Sequence, residues 1–143
     1  PGTSAVIHQV GQAKIAPIIC FELIDDRLIQ SSADVSNLFV VQTNSATFAN
    51  TAQSAQQLAI TRIRAVEHAR EILSVSTVGI SAFIDDNGAV ISQTPENIST
   101  SISGDLKISN HKTVSDRLGG VAPLLVLFSS LILAIGIRKK VSR

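Results

Sequence analysis

Methionine, tryptophan and tyrosine are absent from the 143 residues, phenylalanine occurs five times and cysteine once. A single cysteine excludes an internal disulfide and a cysteine-cluster metal site. The scarcity of aromatic side chains argues against a stacking platform for single-stranded nucleic acid, and a net charge of +1 gives no strongly basic surface. The sequence therefore predicts no nucleic-acid partner, and we identify no cofactor or metal site in it.

The missing methionine also bears on the origin of the chain, because a primary translation product begins with one. The sequence opens at Pro1-Gly2, in a segment that reads as a loop. No charged segment followed by an apolar one, the pattern of a signal peptide, is visible there. We expect a processed product or a piece of a longer protein, with any signal or earlier membrane segment upstream.

The one cysteine, Cys20, ends an apolar run over residues 15–20 that reads as a buried strand. In α/β folds, ligands bind beside the carboxyl ends of the strands, so a cysteine at a strand exit is a candidate nucleophile. Free cysteine is also among the most buried residue types. On this stretch alone, a structural core position is the alternative.

Predicted strands and helices alternate along the chain. Apolar runs and alternating patterns predict strands over residues 5–7, 15–20, 38–41, 78–84, 89–92 and 99–106. Periodic patterns predict helices over 23–36 and 51–74. A turn at Gly11 joins the first two strands, and Asp85-Asp86-Asn87-Gly88 is a tight hairpin turn. This order indicates an α/β layered fold.

The long predicted helix carries two sets of side chains on different sides. One is an apolar set at helical spacing, predicted to face the core: Ala55, Ala59, Ile63, Val66 and Leu73. The other is charged: Arg64, Glu67 and Glu71. We expect this charged side to be a solvated face that contributes little stability, unless it lies against the active-site rim.

A polar cluster follows the strand over residues 38–41, at the same predicted edge of the sheet as Cys20. It consists of Gln42, Thr43, Asn44 and Ser45. Two strands thus deliver reactive or polar side chains to one rim. Asn44 is a candidate for contacting a substrate or for ordering the rim loop.

The last part of the chain differs in composition from the α/β domain over residues 1–108. A polar connector over 109–117 leads to an uncharged, nearly all apolar run over 118–137, which spans about 30 Å as a helix, the thickness of a bilayer core. The alternative is a buried core helix. Basic residues then fill the tail over 138–143, which the positive-inside rule places in the cytoplasm. The α/β domain is therefore expected on the outer face of the membrane.

Four segments together resemble the carboxy-terminal part of a carbon–nitrogen hydrolase (nitrilase-like) domain. They are residues 18–22 (IICFE), 43–48 (TNSATF), 62–67 (RIRAVE) and 79–82 (GISA). The cysteine motif is common to the nitrilase superfamily. The other segments and the terminal apolar run are similar to the bacterial apolipoprotein N-acyltransferase family, in register over essentially the whole chain.

The resemblance implies a four-layer α-β-β-α sandwich, of which residues 1–108 are the carboxy-terminal portion, and a catalytic glutamate, lysine and cysteine. Cys20 matches the nucleophile, and Glu22 matches a glutamate that shapes the site rather than acting as general base. The catalytic glutamate and lysine of the family lie upstream and are not in this sequence. Lys14 does not replace the lysine, because six residues of strand separate it from Cys20 by about 20 Å. We expect the chain to be inactive without the upstream remainder of the enzyme.

The resemblance also implies a reaction and its partners. In that family a cysteine takes a fatty acyl group from a phospholipid as a thioester and passes it to the N-terminal amine of a diacylglyceryl-modified apolipoprotein. The expected location is the bacterial inner membrane. Two alternatives remain: a membrane-anchored nitrilase-like amidase, and a non-catalytic membrane-anchored module in which Cys20 is structural.

Overall fold

The computed structural model describes residues 6–141, and in its last helix it describes side chains for residues 124–133. The strands are β1 (His8–Val10), β2 (Ala13–Ile19), β3 (Leu38–Thr43), β4 (Ile72–Ser76), β5 (Ala82–Ile84) and β6 (Val90–Gln93). The helices are α1 (Asp26–Val35), α2 (Gln53–His68), α3 (Val114–Leu118) and α4 (Ala122–Val141). Short 3-10 turns occur at Cys20–Ile24, Ala46–Phe48 and Gly119–Val121. We name the first of these the cysteine turn.

The six strands form one mixed sheet in the order β1-β2-β3-β4-β5-β6. Its centre is parallel, with α1 crossing from β2 to β3 and α2 from β3 to β4, and its two edges are antiparallel hairpins. Both helices pack on the same face, because the buried core joins side chains of α1 and α2 to alternate strand residues such as Ile18, Phe39 and Ile72. The predicted α/β class is confirmed.

Pro17 lies inside β2, where a residue without an N–H donor needs an explanation. The Lys14 carbonyl accepts from the Asn37 N–H at 2.9 Å. The backbone N–H and C=O groups of the even-numbered residues of β2 therefore point towards β3. Pro17 therefore faces the other edge. There β1 begins at His8, opposite Ile15, so within residues 6–141 no strand pairs with Pro17 on that side and requires its donor.

The second helix ends six residues earlier than the sequence predicts, and a strand was missed as a result. α2 stops at His68, Ala69 adopts a left-handed conformation with φ of 46°, and Ile72–Ser76 forms β4 in the middle of the sheet. A left-handed cap is ordinarily glycine. Because no glycine or proline marks this boundary, local sequence gives no stop signal.

The apolar side of α2 was predicted to face the core, and that prediction is wrong. Ile63 and Val66 are 63% and 54% exposed, whereas Thr61, Arg64 and His68 are buried. These buried groups have hydrogen-bond partners: the Thr61 hydroxyl donates to a backbone carbonyl at 2.8 Å, and His68 Nδ1 lies 2.6 Å from a carboxylate oxygen of Asp116. The inner side of α2 therefore carries these polar groups beside the buried Ala65.

Arg70, directly after α2, is a buried guanidinium that joins the ends of both crossover helices. It donates to carbonyl oxygens of Ala33, Ser36, His68, Ala69 and His111 at 2.6–3.3 Å. Helix carboxyl ends carry partial negative charge, so a cation is favourable there. Burial lowers the pKa of Arg70 from its usual value, while the Asp116 carboxylate opposes that shift.

Two strand predictions after β4 are corrected. The strand predicted over 78–84 forms only as Ala82–Ile84, and it turns at Asp85–Gly88 into β6 as expected. Residues 99–106 form no strand. Instead of pairing with a strand edge, this stretch passes over Phe83, and the Lys107 N–H just beyond it donates to the Glu71 carboxylate at 2.6 Å. Glu71 is buried, contrary to the predicted solvated face.

The connector contains the short helix α3, and the chain turns sharply after it at Gly119, whose φ is 48°. No single helix among the described residues is long and apolar enough to cross a bilayer. The segments Val114–Val121 and Leu124–Leu133 satisfy that requirement only together, and they meet at 67°. The span over 118–137 stays a prediction. The ends of the chain, residues 1–5 and 142–143, and the side chains of the basic tail lie outside the described residues.

Replacing Arg70 tests its role at the helix ends. Arg70→Lys leaves buried carbonyls without donors, because one ammonium group cannot reach all the positions of the guanidinium fork. We expect the free energy of unfolding to fall by about 2–4 kcal/mol in chemical denaturation. Arg27→Lys, on the exposed side of α1, is the matched control, with an expected change within about 0.5 kcal/mol. Equal stability of the two variants contradicts this assignment.

Candidate active site

Cys20 lies where β2 ends and the chain turns towards α1. Its backbone has a φ of 51°, a left-handed conformation that residues with a Cβ adopt at a cost of about 1–3 kcal/mol. Its side chain is half-buried and free of any disulfide. Strain of this kind persists only where the surroundings enforce it, and it is concentrated at functional sites.

Glu22 holds the amino-terminal side of the cysteine turn. Its carboxylate oxygen Oε2 accepts from the Ile19 N–H at 2.8 Å, so the glutamate two residues after Cys20 bonds back to the residue before it. Asp25 closes the other end, where its carboxylate accepts from the N–H groups of Arg27 and Leu28 and caps α1. The predicted helix over 23–36 is thus confirmed, with the cysteine turn occupying its first residues.

The Arg64 side chain of α2 contacts the backbone of the cysteine turn. Its Nε donates to the Leu23 carbonyl at 2.9 Å, and its terminal nitrogens lie 2.6 Å from carboxylate oxygens of Asp26 and Glu67. Burial opposes the charge, but the hydrogen bonds to Glu67 and Asp26 outweigh it and raise the pKa of Arg64. The predicted solvated face is therefore wrong at Arg64, which is 8% exposed.

Asn44 lies just beyond β3, at the sheet edge where β2 delivers Cys20. Its carboxamide oxygen accepts from the Ala46 N–H at 3.1 Å and from the Thr77 hydroxyl at 3.0 Å. Thr77 follows β4, so Asn44 connects the loops after two parallel strands. The polar residues predicted at this edge thus lie beside the end of β2, and the Asn44 side chain joins two of the loops there.

A cluster of hydroxyl groups beneath this rim was not predicted. The Ser45 and Ser76 hydroxyls are 2.6 Å apart, and the Gly79 N–H donates to Ser76 Oγ at 3.1 Å. A Cβ at Gly79 would lie within 3 Å of the hydroxyls of Ser45, Ser54 and Ser76. The three serines lie in separate segments of the chain, after β3, in α2 and at the end of β4, so no local pattern in the sequence predicts the cluster.

A cavity of about 150 Å³ opens beside Cys20, between the cysteine turn and the first turns of α2. Apolar side chains of Phe21, Ile24, Phe48 and Ile60 form much of its wall. Gln57 also lines it and donates to the Thr43 hydroxyl at the end of β3. The half-buried thiol therefore borders a mainly apolar space.

The cavity lining includes neither a lysine nor a carboxylate. Lys14 lies near the start of β2, five positions before the strand ends. Over the residues that the structure describes, no group of three histidine, cysteine or acidic side chains is arranged to hold a metal ion. This chain contributes a strained cysteine, a braced turn and an apolar cavity.

No protein-family model matches the chain. It is 34% identical over 133 residues to an apolipoprotein N-acyltransferase of Mycolicibacterium smegmatis, covering 92% of this chain and 22% of the relative. An apolipoprotein N-acyltransferase of Shewanella oneidensis is 27% identical over 98% of this chain and 26% of the relative. The chain is related to the apolipoprotein N-acyltransferases. It spans about a quarter of the length of these relatives.

Solved structures of the nitrilase superfamily share the fold of about two thirds of this chain. An amidase from Nesterenkonia has a TM-score of 0.56 at 13% identity and covers 67% of this chain and 39% of the amidase. A superfamily member from Saccharomyces cerevisiae has a TM-score of 0.56 at 18% identity over 68% of this chain and 39% of its own. Another structure of the amidase carries the acetamide moiety of fluoroacetamide on its active-site cysteine.

Adding one methyl group at Gly79 tests the packing of the hydroxyl cluster. Gly79→Ala forces at least one of three serine hydroxyls away, and we expect the free energy of unfolding to fall by about 1–3 kcal/mol. Gly104→Ala is the control, because its Cβ meets only Phe83 ring atoms at an ordinary 3.7 Å. Thermal denaturation of the two variants compares them. If Gly79→Ala and Gly104→Ala have the same melting temperature, the rim does not depend on the close approach of Gly79 to the serine hydroxyls.

Proposed function

We propose that this chain carries the nucleophile of an apolipoprotein N-acyltransferase. Cys20 takes a fatty acyl group from a phospholipid and transfers it to the α-amine of a diacylglyceryl-modified cysteine at the N-terminus of an apolipoprotein. The observation that carries the proposal is the strained turn that presents the only cysteine, in a chain related to proteins of that name over most of its length. Glu22 and Asn44 serve as supporting residues that shape the turn and the rim.

The reaction runs in two steps at one sulfur atom. The Cys20 thiolate attacks the ester carbonyl, a sulfur–carbon bond forms, and the ester oxygen leaves with a proton as the hydroxyl of a lysophospholipid. The apolipoprotein amine then attacks the thioester, a nitrogen–carbon bond forms, and the thiol is released. Such double displacement predicts ping-pong kinetics.

Each step passes through a tetrahedral oxyanion, and each needs a group that moves a proton. The cavity lining offers neither a lysine nor a carboxylate for these tasks, and the Glu22 carboxylate is occupied by the Ile19 N–H. A glutamate and a lysine from the remainder of the enzyme therefore complete the site. Part of a larger nitrilase-like sandwich then lies beside this sheet.

The cavity beside Cys20 suits an acyl donor. Its apolar wall accepts the first methylene groups of a fatty acyl chain, since contact with aliphatic and aromatic side chains removes them from water. Phe21, directly after the nucleophile, is 69% exposed and extends this apolar surface outwards. A small, polar amide substrate would gain little from either feature.

A membrane anchor would keep the site beside its lipid substrate. Along residues 124–133, every large apolar side chain is more than half exposed. The hydroxyls of Ser129 and Ser130 both donate to the Val126 carbonyl, so these two polar groups need no water. These features support a lipid-embedded segment within 118–137. The orientation that we propose, with the catalytic domain on the outer face of the inner membrane and the basic tail in the cytoplasm, rests on the positive-inside rule alone.

A chimera tests the proposed role of Cys20. This chain replaces the matching quarter of the Mycolicibacterium relative, which supplies the remaining residues. We expect a fatty-acyl adduct on Cys20 by mass spectrometry that hydroxylamine removes, as thioester chemistry requires. Cys20→Ser abolishes apolipoprotein acylation.

Three results would redirect the assignment. Ammonia released from small amides, with no acyl transfer, supports the amidase alternative. Full acylation by Cys20→Ser supports a non-catalytic module in which the cysteine is structural. Inactivity of both variants despite correct folding rejects the acyltransferase role of this segment. The native relative, purified alongside, shows that the assay works.

The chain by itself provides a separate test. Without a second source of the glutamate and lysine, proton transfer and oxyanion stabilisation are missing, so we expect no measurable acyl adduct after incubation with phospholipid vesicles. Intact-protein mass spectrometry measures the adduct directly. Stoichiometric acylation of the isolated chain at Cys20 would show that its own residues suffice.

A further inference from the structure

The Arg64 side chain connects three elements behind the cysteine turn. Its donors reach the Leu23 carbonyl of that turn, Asp26 at the start of α1 and Glu67 on its own helix. We propose that Arg64 is a positioning residue for Cys20: its guanidinium holds the cysteine turn in the strained conformation that presents the thiol. It acts through the backbone of the turn.

The cysteine turn needs support on both sides, because Cys20 has an unfavourable backbone conformation. Glu22 provides it before the cysteine, through the Ile19 N–H. After the cysteine, the Leu23 side chain is anchored in the core and its carbonyl accepts from Arg64. With Arg64 removed, the Leu23 carbonyl loses that donor, and one restraint on the turn disappears.

Arginine suits this position because its planar fork presents several donors at fixed angles. Two carboxylates, Asp26 and Glu67, flank the guanidinium at 2.6 Å and balance its buried charge. Glu67 is fixed in turn, since its Oε1 accepts from the Ser115 hydroxyl and its backbone carbonyl accepts from the Thr113 hydroxyl. The turn is thus braced against α2 and against the segment that precedes α4.

Arg62, two residues earlier on α2, provides a matched comparison. Its Nε donates to the Gly88 carbonyl in the β5–β6 hairpin at 2.6 Å, so it also bonds a backbone oxygen in a turn. That turn carries no candidate catalytic residue. Arg62→Lys therefore controls for the general cost of exchanging an arginine on this helix.

The inference rests on the proposed function only in treating Cys20 as the reactive group, and its test needs no acyl transfer. Because Cys20 is the only cysteine, alkylation by iodoacetamide reports on that thiol alone. The rate constant is measured for the full chain in detergent micelles at one pH, folded and in urea. The variants are Arg64→Lys, Arg64→Ala and Arg62→Lys. Ile84→Val, which removes a methyl group from the core in β5, controls for reduced stability.

We expect both Arg64 variants to shift the folded-state rate constant about fivefold or more towards the unfolded value, as loss of one restraining hydrogen bond predicts. Arg64→Lys retains the charge but lacks the planar fork of donors. If it shifts the rate constant as Arg64→Ala does, the geometry of the donors, and not the charge, is what holds the turn. Arg62→Lys and Ile84→Val leave the rate unchanged.

Three results would overturn the proposal. The first is a wild-type rate for both Arg64 variants, and the second is an equal shift in Ile84→Val. The third is a wild-type rate that already equals the unfolded value, since the turn then does not constrain the thiol. Circular dichroism at the assay temperature verifies that each variant is folded. If Arg64→Ala fails that check, Arg64→Lys alone decides the outcome.

Discussion

The buried Arg70 guanidinium is the interaction on which the arrangement of helices over the sheet depends. Carbonyl groups at the end of a helix lack intrahelical partners, and here the ends of α1 and α2 converge on one side chain. The same guanidinium binds the His111 carbonyl, which fixes the connector before α3. A cation in the core is tolerated because it is surrounded by acceptors, and its removal leaves all of them unpaired at once.

The polar inner side of α2 follows from this arrangement. Arg64 and His68 lie on the side of the helix that faces the cysteine turn and α3, and each is paired with a carboxylate from another element. Burying a polar group costs free energy unless it is hydrogen-bonded, and the Arg64 guanidinium and His68 Nδ1 both have a carboxylate partner. In return they bring specific backbone positions together, which an apolar contact does not do. The polar side is thus where α2 contributes geometry to the candidate site.

Much of the fold is predictable from short-range patterns. The turn at Gly11, the helix after Asp25, the strand over 38–41 and the Asn-Gly turn each carry a local signal, and each was predicted to within a few residues. The first strand, predicted over 5–7, lies instead at His8–Val10. Cys20 and Asn44 were assigned to one rim because parallel strands end at one edge. The two wrong predictions about α2 have a common cause. Where α2 ends and which of its sides is buried depend on long-range partners, namely the acceptors of Arg70 and the carboxylates of Asp26 and Asp116.

The same reasoning explains why the site divides into a predictable and an unpredictable part. A nucleophile is recognisable by residue type and by its place at a strand exit, but the support for a strained backbone is contributed by whatever element packs behind it. At Cys20 that support comes from a glutamate two residues away and from an arginine 44 positions along the chain. Glu22 belongs to the cysteine motif and is visible in the sequence. Arg64 has the spacing of an ordinary charged residue on the surface of a helix. Burial separates Arg64 from the exposed Arg62 on the same helix: both donate to a backbone carbonyl, but only Arg64 does so in the buried space behind Cys20.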